Sequence, residues 1–334
     1  MPCRALYSTL ILFIVFQLVS ASVARSQEPA PQNAPPIRVT VDRVNVSVIV
    51  TDAQGQFVEG LPREKFHVFD DGAEQPITGF AAVDAPAQVL LLIEAGPAVY
   101  LLEGGHLNAA LALLNGLSAD DSVAVVKYAQ TPEPLIDFTT DKQSVAASFS
   151  ELRFNLGFGD LNLSSSLSTI LNWLKTSQSK KVIVLLSTGV DTSSSAQIDA
   201  AIRQLKTSDA LLFAVSLAGS LRTPQPVSKK KPPSQKSEET AQQIAQADQL
   251  LKTLAESTGG RAYFPVNPND FSAVYAQIAQ LVRHEYSIAF APPANDGVIH
   301  SIDVRVTSPQ LPPGVAVPAY HIDHRQDYVA PSTP

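Results

Sequence analysis

The sequence holds a single cysteine, Cys3, in 334 residues. That excludes an internal disulfide and a thiolate-bound zinc cluster. Charge is sparse as well, at 16% of residues, and has no basic excess: 24 Lys and Arg against 31 Asp and Glu give a net charge of −7. A general nucleic-acid binder carries a basic surface, so the balance argues against that class. Beyond the first two dozen residues no apolar run approaches the ~20 residues that span a bilayer. Catalytic signatures are missing too. There is no Gly-x-Ser-x-Gly elbow, His-Glu-x-x-His pair or P-loop, and Gly157-x-Gly159 lacks the third glycine of a dinucleotide fingerprint.

What is present begins with an export signal over residues 1–24. Arg4 supplies the positive end, Leu10 to Val19 the apolar run, and Val19-Ser20-Ala21 or Ser22-Val23-Ala24 the small residues of a cleavage site. The run is about ten residues long, which suits cleavage better than a retained anchor. Cys3 lies ahead of it, so the mature chain would have no cysteine and would rest on its core alone. Residues 25–36 are Pro-rich and polar, a linker.

From 37 to 86 the pattern is β. Ile37, Val39 and Val41 alternate with polar residues, then Val44, Val46, Val48 and Val50 do so one residue out of phase, which predicts a bulge or bend near Asp42-Arg43. Asp70-Asp71-Gly72 predicts a hairpin, and Ile77 to Val83 another strand. From 87 to 284 strands and helices alternate. Val89-Leu90-Leu91-Leu92-Ile93 reads as a buried central strand, and Val123–Val126, Val182–Leu186 and Ala210–Leu217 as its companions. Leu135–Phe138 and Arg261–Pro265 read as edges. Lys180-Lys181 reads as the solvated entry to its strand, residues 220–238 with Lys229-Lys230-Lys231 as a disordered surface loop, and Ser164-Ser165-Ser166 and Ser193-Ser194-Ser195 as loop and N-cap residues. From 285 to 331 alternation at period two returns. The predicted fold is α/β: a Rossmann-like, mostly parallel sheet with helices on both faces, inserted in a small β-sandwich made by both ends of the chain.

The remaining polar residues form no evident constellation. His321-Ile322-Asp323-His324 would put its two rings on opposite faces of a strand, so it reads as a solvated strand end. His67, His106, His284 and His300 have no acid partners by spacing.

The residues Val46-Ser47-Val48-Ile49-Val50-Thr51-Asp52-Ala53-Gln54-Gly55, Leu61-Pro62-Arg63-Glu64-Lys65-Phe66-His67-Val68-Phe69-Asp70-Asp71-Gly72 and Tyr328-Val329-Ala330-Pro331 carry a resemblance. The chain, roughly from Val44 to Pro331, resembles the von Willebrand factor type A (vWA) related proteins of acidobacterial type. The resemblance implies a vWA domain with a metal-ion-dependent adhesion site: Asp-x-Ser-x-Ser after the first strand, a Thr from a second loop and an Asp from a third. Hydroxyls, carboxylates and waters would give Mg²⁺ its octahedral oxygens and leave one position for a partner's carboxylate.

The sequence departs from that pattern in all three loops. Glu94, Gly96 and Ala98 stand in the first, so one carboxylate is kept and both hydroxyls are lost. Asp160, in Gly157-Phe158-Gly159-Asp160, stands about where the Thr belongs, and Thr188, followed by Asp191, stands for the Asp. The preferred reading is a degenerate site and no cofactor; the alternative is an Mg²⁺ site rebuilt from Glu94, Asp160, Thr188 and Asp191. The function expected is a non-enzymatic scaffolding module, exported to the periplasm or beyond and without a stable membrane span. Its partner would be another protein of the cell envelope or exterior, engaged through the loops 94–98, 157–162 and 187–195. A metal-dependent adhesin is the first alternative and a cell-envelope hydrolase the second.

Overall fold

The computed structural model describes residues 43–96, 103–152, 159–177, 179–218, 235–267, 270–307 and 319–332, with the backbone alone for 103–109 and 235–237. The signal, the linker, the alternation at 37–41 and the bend at Asp42 lie outside these residues, and so do Ala98, Gly157, Phe158 and most of 220–238.

Four strands come first: β1 (Val44–Thr51), β2 (Phe66–Asp70), β3 (Ala73–Gln75) and β4 (Ile77–Asp84). An alternating series follows, with β5 (Ala87–Glu94), α1 (Glu103–Gly116), β6 (Ser122–Tyr128), β7 (Pro132–Thr139), α2 (Lys142–Ser148), α3 (Leu163–Leu174) and β8 (Lys180–Ser187). It continues through α4 (Ser195–Thr207), β9 (Ala210–Ser216), α5 (Gln235–Glu256), β10 (Ala262–Tyr263) and α6 (Asp270–Arg283). Four strands close the chain: β11 (His284–Phe290), β12 (Ile299–Val306), β13 (His321–His324) and β14 (Asp327–Val329).

The middle series builds a six-stranded sheet in the order β10-β9-β8-β5-β6-β7, parallel except for β7 on β6. β5 lies inside it because both of its faces are apolar. Val89, Leu91 and Ile93 pack toward Leu113, Ile278 and Leu281 on one side. Leu90 and Leu92 pack toward Leu167, Leu171, Leu251 and Leu254 on the other. Each such side chain contributes about 1.5–3 kcal/mol by leaving water, which explains why a run with no polar alternation takes the centre. Asp121, buried between helix and sheet, accepts the Ala87 N–H at 2.9 Å and fixes where β5 begins.

The ends of the chain form two antiparallel sheets, β13-β1-β11-β4 and β14-β12-β2-β3, over a shared core that includes Val46, Val48, Phe66, Tyr286, Ile288 and Val304. Alternation along β1 decides how the two layers join. Val46, Val48 and Val50 face the sandwich core, while Ile49 turns into the core of the parallel sheet. The predicted α/β domain with a sandwich from both termini is the fold observed.

Four local expectations need correction. Lys180 and Lys181 are not a solvated entry: they are the first residues of β8, Lys181 is 5% exposed and bonded to Asp209 at 2.6 Å, and Lys180 lies 3.2 Å from Glu285 of β11. Burial lowers the Lys180 pKa and the Glu285 charge opposes that shift. The His321–His324 segment is solvated only at its start. His324 is buried, accepts the Val304 N–H at Nε2 and donates from Nδ1 to the Arg325 carbonyl, so burial lowers its pKa. Ser164, Ser165 and Ser166 lie within α3 rather than at its cap, which is Asn162. Helix α5 begins at Gln235, inside the span 220–238 read as a loop.

Candidate functional site

Glu94 is the last residue of β5, at the carboxyl end of the parallel sheet, where strand-end loops of an α/β fold collect. Its place follows from periodicity. Continuing the alternation of Leu90 and Leu92 puts its side chain on the face covered by α3 and α5, beside Tyr128 of β6 and the loop that follows β8.

The carboxylate is fully buried and meets a complete set of donors. Oε2 accepts the Thr188 N–H at 2.7 Å and the Ser187 hydroxyl at 2.9 Å. The Thr188 hydroxyl donates to Oε1 at 2.9 Å and stands equally near Oε2. Tyr128 donates to Ser187 Oγ at 2.8 Å, with Glu94 Oε2 at 3.3 Å as its other contact, and the Gly189 N–H also donates to Ser187 Oγ at 2.9 Å. Ser187 therefore takes two hydrogen bonds and passes one on to the carboxylate. Burial raises the Glu94 pKa, and the bonds from Thr188, Ser187 and Tyr128 hold part of that rise back. Burial and the neighbouring Glu94 charge raise the Tyr128 pKa well above its ordinary value.

Of the residues singled out in the sequence, Glu94 and Thr188 are brought into contact. Gly96 stands beside them, but a Cβ there would meet Leu161 Cδ2 at 3.0 Å and Glu94 Oε1 at 3.2 Å. The space that a longer side chain would need is filled by leucine methyls. Asp191 is engaged elsewhere: Oδ2 accepts the Ser164 backbone N–H at 2.9 Å and the Ser164 hydroxyl, and Oδ1 accepts the Ser193 N–H at 2.9 Å. Asn162 makes no side-chain cap, so Asp191 caps the first turn of α3 from the neighbouring loop. Asp160 is exposed and stands apart from the Glu94 hydrogen bonds.

The loops are laced to one another. Thr192 N–H donates to the Leu161 carbonyl at 2.8 Å, and its hydroxyl accepts the Leu161 N–H at 3.0 Å. Gly189 has φ +81°, and a Cβ there would stand 2.5 Å from the Ala247 carbonyl of α5. Only glycine fits both the backbone and the space, so α5 presses directly on the loop after β8. Val190, the next residue, is 47% exposed at the rim.

Sequence reasoning missed a second polar centre, in the sheet β14-β12-β2-β3 of the sandwich. Asp70 and Asp71 of the β2–β3 hairpin, His300 of β12 and Asp296 before it meet there, with Tyr328 of β14 bonded to Asp70. Its traces in the sequence are Asp70-Asp71-Gly72 and the four-residue step from Asp296 to His300.

Residues 107–277 match the von Willebrand factor type A domain family. No curated relative matches the chain. Among solved structures, a von Willebrand factor type A protein from Catenulispora acidiphila is 8% identical, covering 86% of this chain and 75% of its own, with a TM-score of 0.46. An aerotolerance-related membrane protein from Bacteroides fragilis is 12% identical over 58% of this chain and 99% of its own, with a TM-score of 0.43. The vWF domain of the type V pili tip protein Mfa5 from Porphyromonas gingivalis is 13% identical over 60% of this chain and 96% of its own, with a TM-score of 0.42.

Proposed function

The chain belongs to the von Willebrand factor type A domain family, and from that premise we propose a non-catalytic protein-interaction module whose strand-end loops engage a partner without a metal ion. The observation that carries this reading is the state of Glu94. An adhesion-site carboxylate presents its oxygens to a cation, whereas Glu94 spends both of its oxygens on the O–H and N–H donors of Ser187 and Thr188. An octahedral Mg²⁺ shell also draws on several hydroxyls or carboxylates around one point. Here Gly96 offers none, Leu161 fills the space beside it, and Asp191 is occupied at α3. Those residues do not fit the ion, which is the sense in which the site is degenerate.

The recognition surface would be the rim of the same loops, with exposed Asp160 and Val190 as its polar and apolar contacts. The signal read at residues 1–24 supports a module exported to the periplasm or beyond, with an envelope or extracellular protein as its partner. The resemblance to the acidobacterial type rests on sequence that forms the sandwich, so the sandwich belongs to that reading. Among the described residues no helix is long and apolar enough to cross a membrane.

Capture of envelope proteins on the immobilised chain tests the proposal. The same partner should be retained with and without chelator and lost on Val190→Glu or Asp160→Lys. Loss of the partner in chelator, or a Mg²⁺ titration heat abolished by Asp191→Asn or Thr188→Val, overturns metal independence and revives the rebuilt adhesion site.

A further inference from the structure

The second polar centre has the form of a metal site. Asp70 Oδ1 lies 3.1 Å from His300 Nδ1, and Asp71 Oδ2 lies 2.9 Å from the same nitrogen. One ligand atom from each of the three residues lies within 4.8 Å of the other two. A first-row metal bound at ~2.1 Å holds neighbouring ligands ~3.0 Å apart, and both separations, which are hydrogen-bond lengths here, also suit adjacent corners of one coordination shell.

The outward atom of each ligand is separately held. Asp70 Oδ2 accepts the Tyr328 hydroxyl at 2.6 Å. Asp71 Oδ1 accepts the Ser301 N–H at 2.9 Å and the Ser301 hydroxyl at 3.0 Å. His300 Nε2 faces both oxygens of Asp296 at 3.3 Å. Outer partners of this kind fix a ligand's rotamer, and with a metal on Nδ1 the Asp296 carboxylate would accept the hydrogen bond from the ring proton at Nε2.

Charge points the same way. The Asp70 side chain is fully buried, and among the described residues no Lys or Arg pairs with Asp70, Asp71 or Asp296. Three carboxylates around one imidazole leave negative charge in excess even when the ring is protonated, and a divalent cation would neutralise it. Asp71 is 58% exposed, which gives an ion its way in.

We propose that Asp70, Asp71 and His300 bind one divalent transition-metal ion of the Zn²⁺ class, with solvent completing its shell. An imidazole beside two carboxylates suits Zn²⁺, Co²⁺ or Mn²⁺; Mg²⁺ and Ca²⁺ favour shells of oxygen alone. The ion would clamp the β2–β3 hairpin to β12 and, through Tyr328, hold the last strand. This site shares no residue with the loops around Glu94, so either proposal can fail without the other.

Calorimetric titration of the full chain with Zn²⁺ tests it, with Mg²⁺ as a parallel arm. One saturable Zn²⁺ site is expected, at least ~10-fold weaker in Asp71→Asn and lost in His300→Gln, and unchanged in Glu94→Gln. Asp71 is exposed enough for its variant to fold, and Co²⁺ should give a visible ligand-field spectrum that disappears with His300→Gln. No saturable Zn²⁺ binding, binding untouched by Asp71→Asn, or binding lost instead with His321→Gln overturns the assignment.

Discussion

The parallel sheet and the sandwich each bury a carboxylate, and they satisfy it by opposite means. Glu94 is surrounded by neutral donors that point inward, so both of its oxygens are already hydrogen-bonded within a buried centre. Asp70 sits with two other carboxylates against one imidazole, so its centre carries surplus negative charge and opens to solvent at Asp71. A buried acid alone therefore says little about metal binding. What decides is whether the surrounding groups are donors, which saturate it, or acceptors, which leave it short of positive charge.

The largest expected effect comes from emptying the Glu94 centre. Glu94→Ala removes the acceptor of Ser187 and of both Thr188 donors and leaves a cavity, at a cost of about 3 kcal/mol. Denaturant unfolding should show it, and a loss below ~1 kcal/mol would mean that the network is not satisfied as described. Tyr128→Phe is milder. It deletes one donor to Ser187, whose oxygen keeps the Gly189 N–H, and should cost about 1 kcal/mol in the same assay.

The smallest effects are pH slopes of opposite sign. Glu94 has a raised pKa, so its contribution to stability is complete below the usual carboxylate range and falls away as pH rises through the raised value. His324 has a lowered pKa, so its contribution is complete above the ordinary histidine range and is lost as pH falls through the lowered value, where protonating Nε2 breaks the bond from Val304. Unfolding midpoints across pH should flatten on the acid side of neutrality in Glu94→Gln and, with the opposite sign, in His324→Gln. Identical profiles for the wild type and both variants would contradict both assignments.

Most of the frame was legible because period and apolar runs state which faces are covered. Val89 to Ile93 could only be an interior strand, and the two valine-rich ends could only pair with each other. The loop at Glu94 was legible as a place and not as a chemistry, since nothing local announces that Ser187, Thr188 and Tyr128 converge on it. Asp191 reads as a possible ligand until the geometry shows it capping α3. The Asp70–His300 centre escaped because it depends on register. β2 pairs with β12 so that Asp70 faces Ile302, which brings His300 to the hairpin. Lys180 and Lys181 were misjudged for a related reason: β8 starts two residues before its apolar run, and their partners Glu285 and Asp209 are remote in sequence.

The pairing of β1 has a consequence for the order of events during synthesis. Val48 is bonded into register with Tyr286 on one side and His324 on the other, so β1 waits for β11 and β13 for its strand pairing, with the local bridge from Thr51 to Phe57 available before them. Contacts this distant are slow to form, and until then most of the valine-rich segment waits with its edges bare. The sandwich cannot lock before β13 and β14 have been made. The same delay leaves Val44–Thr51 as the stretch that a holding chaperone would need to cover.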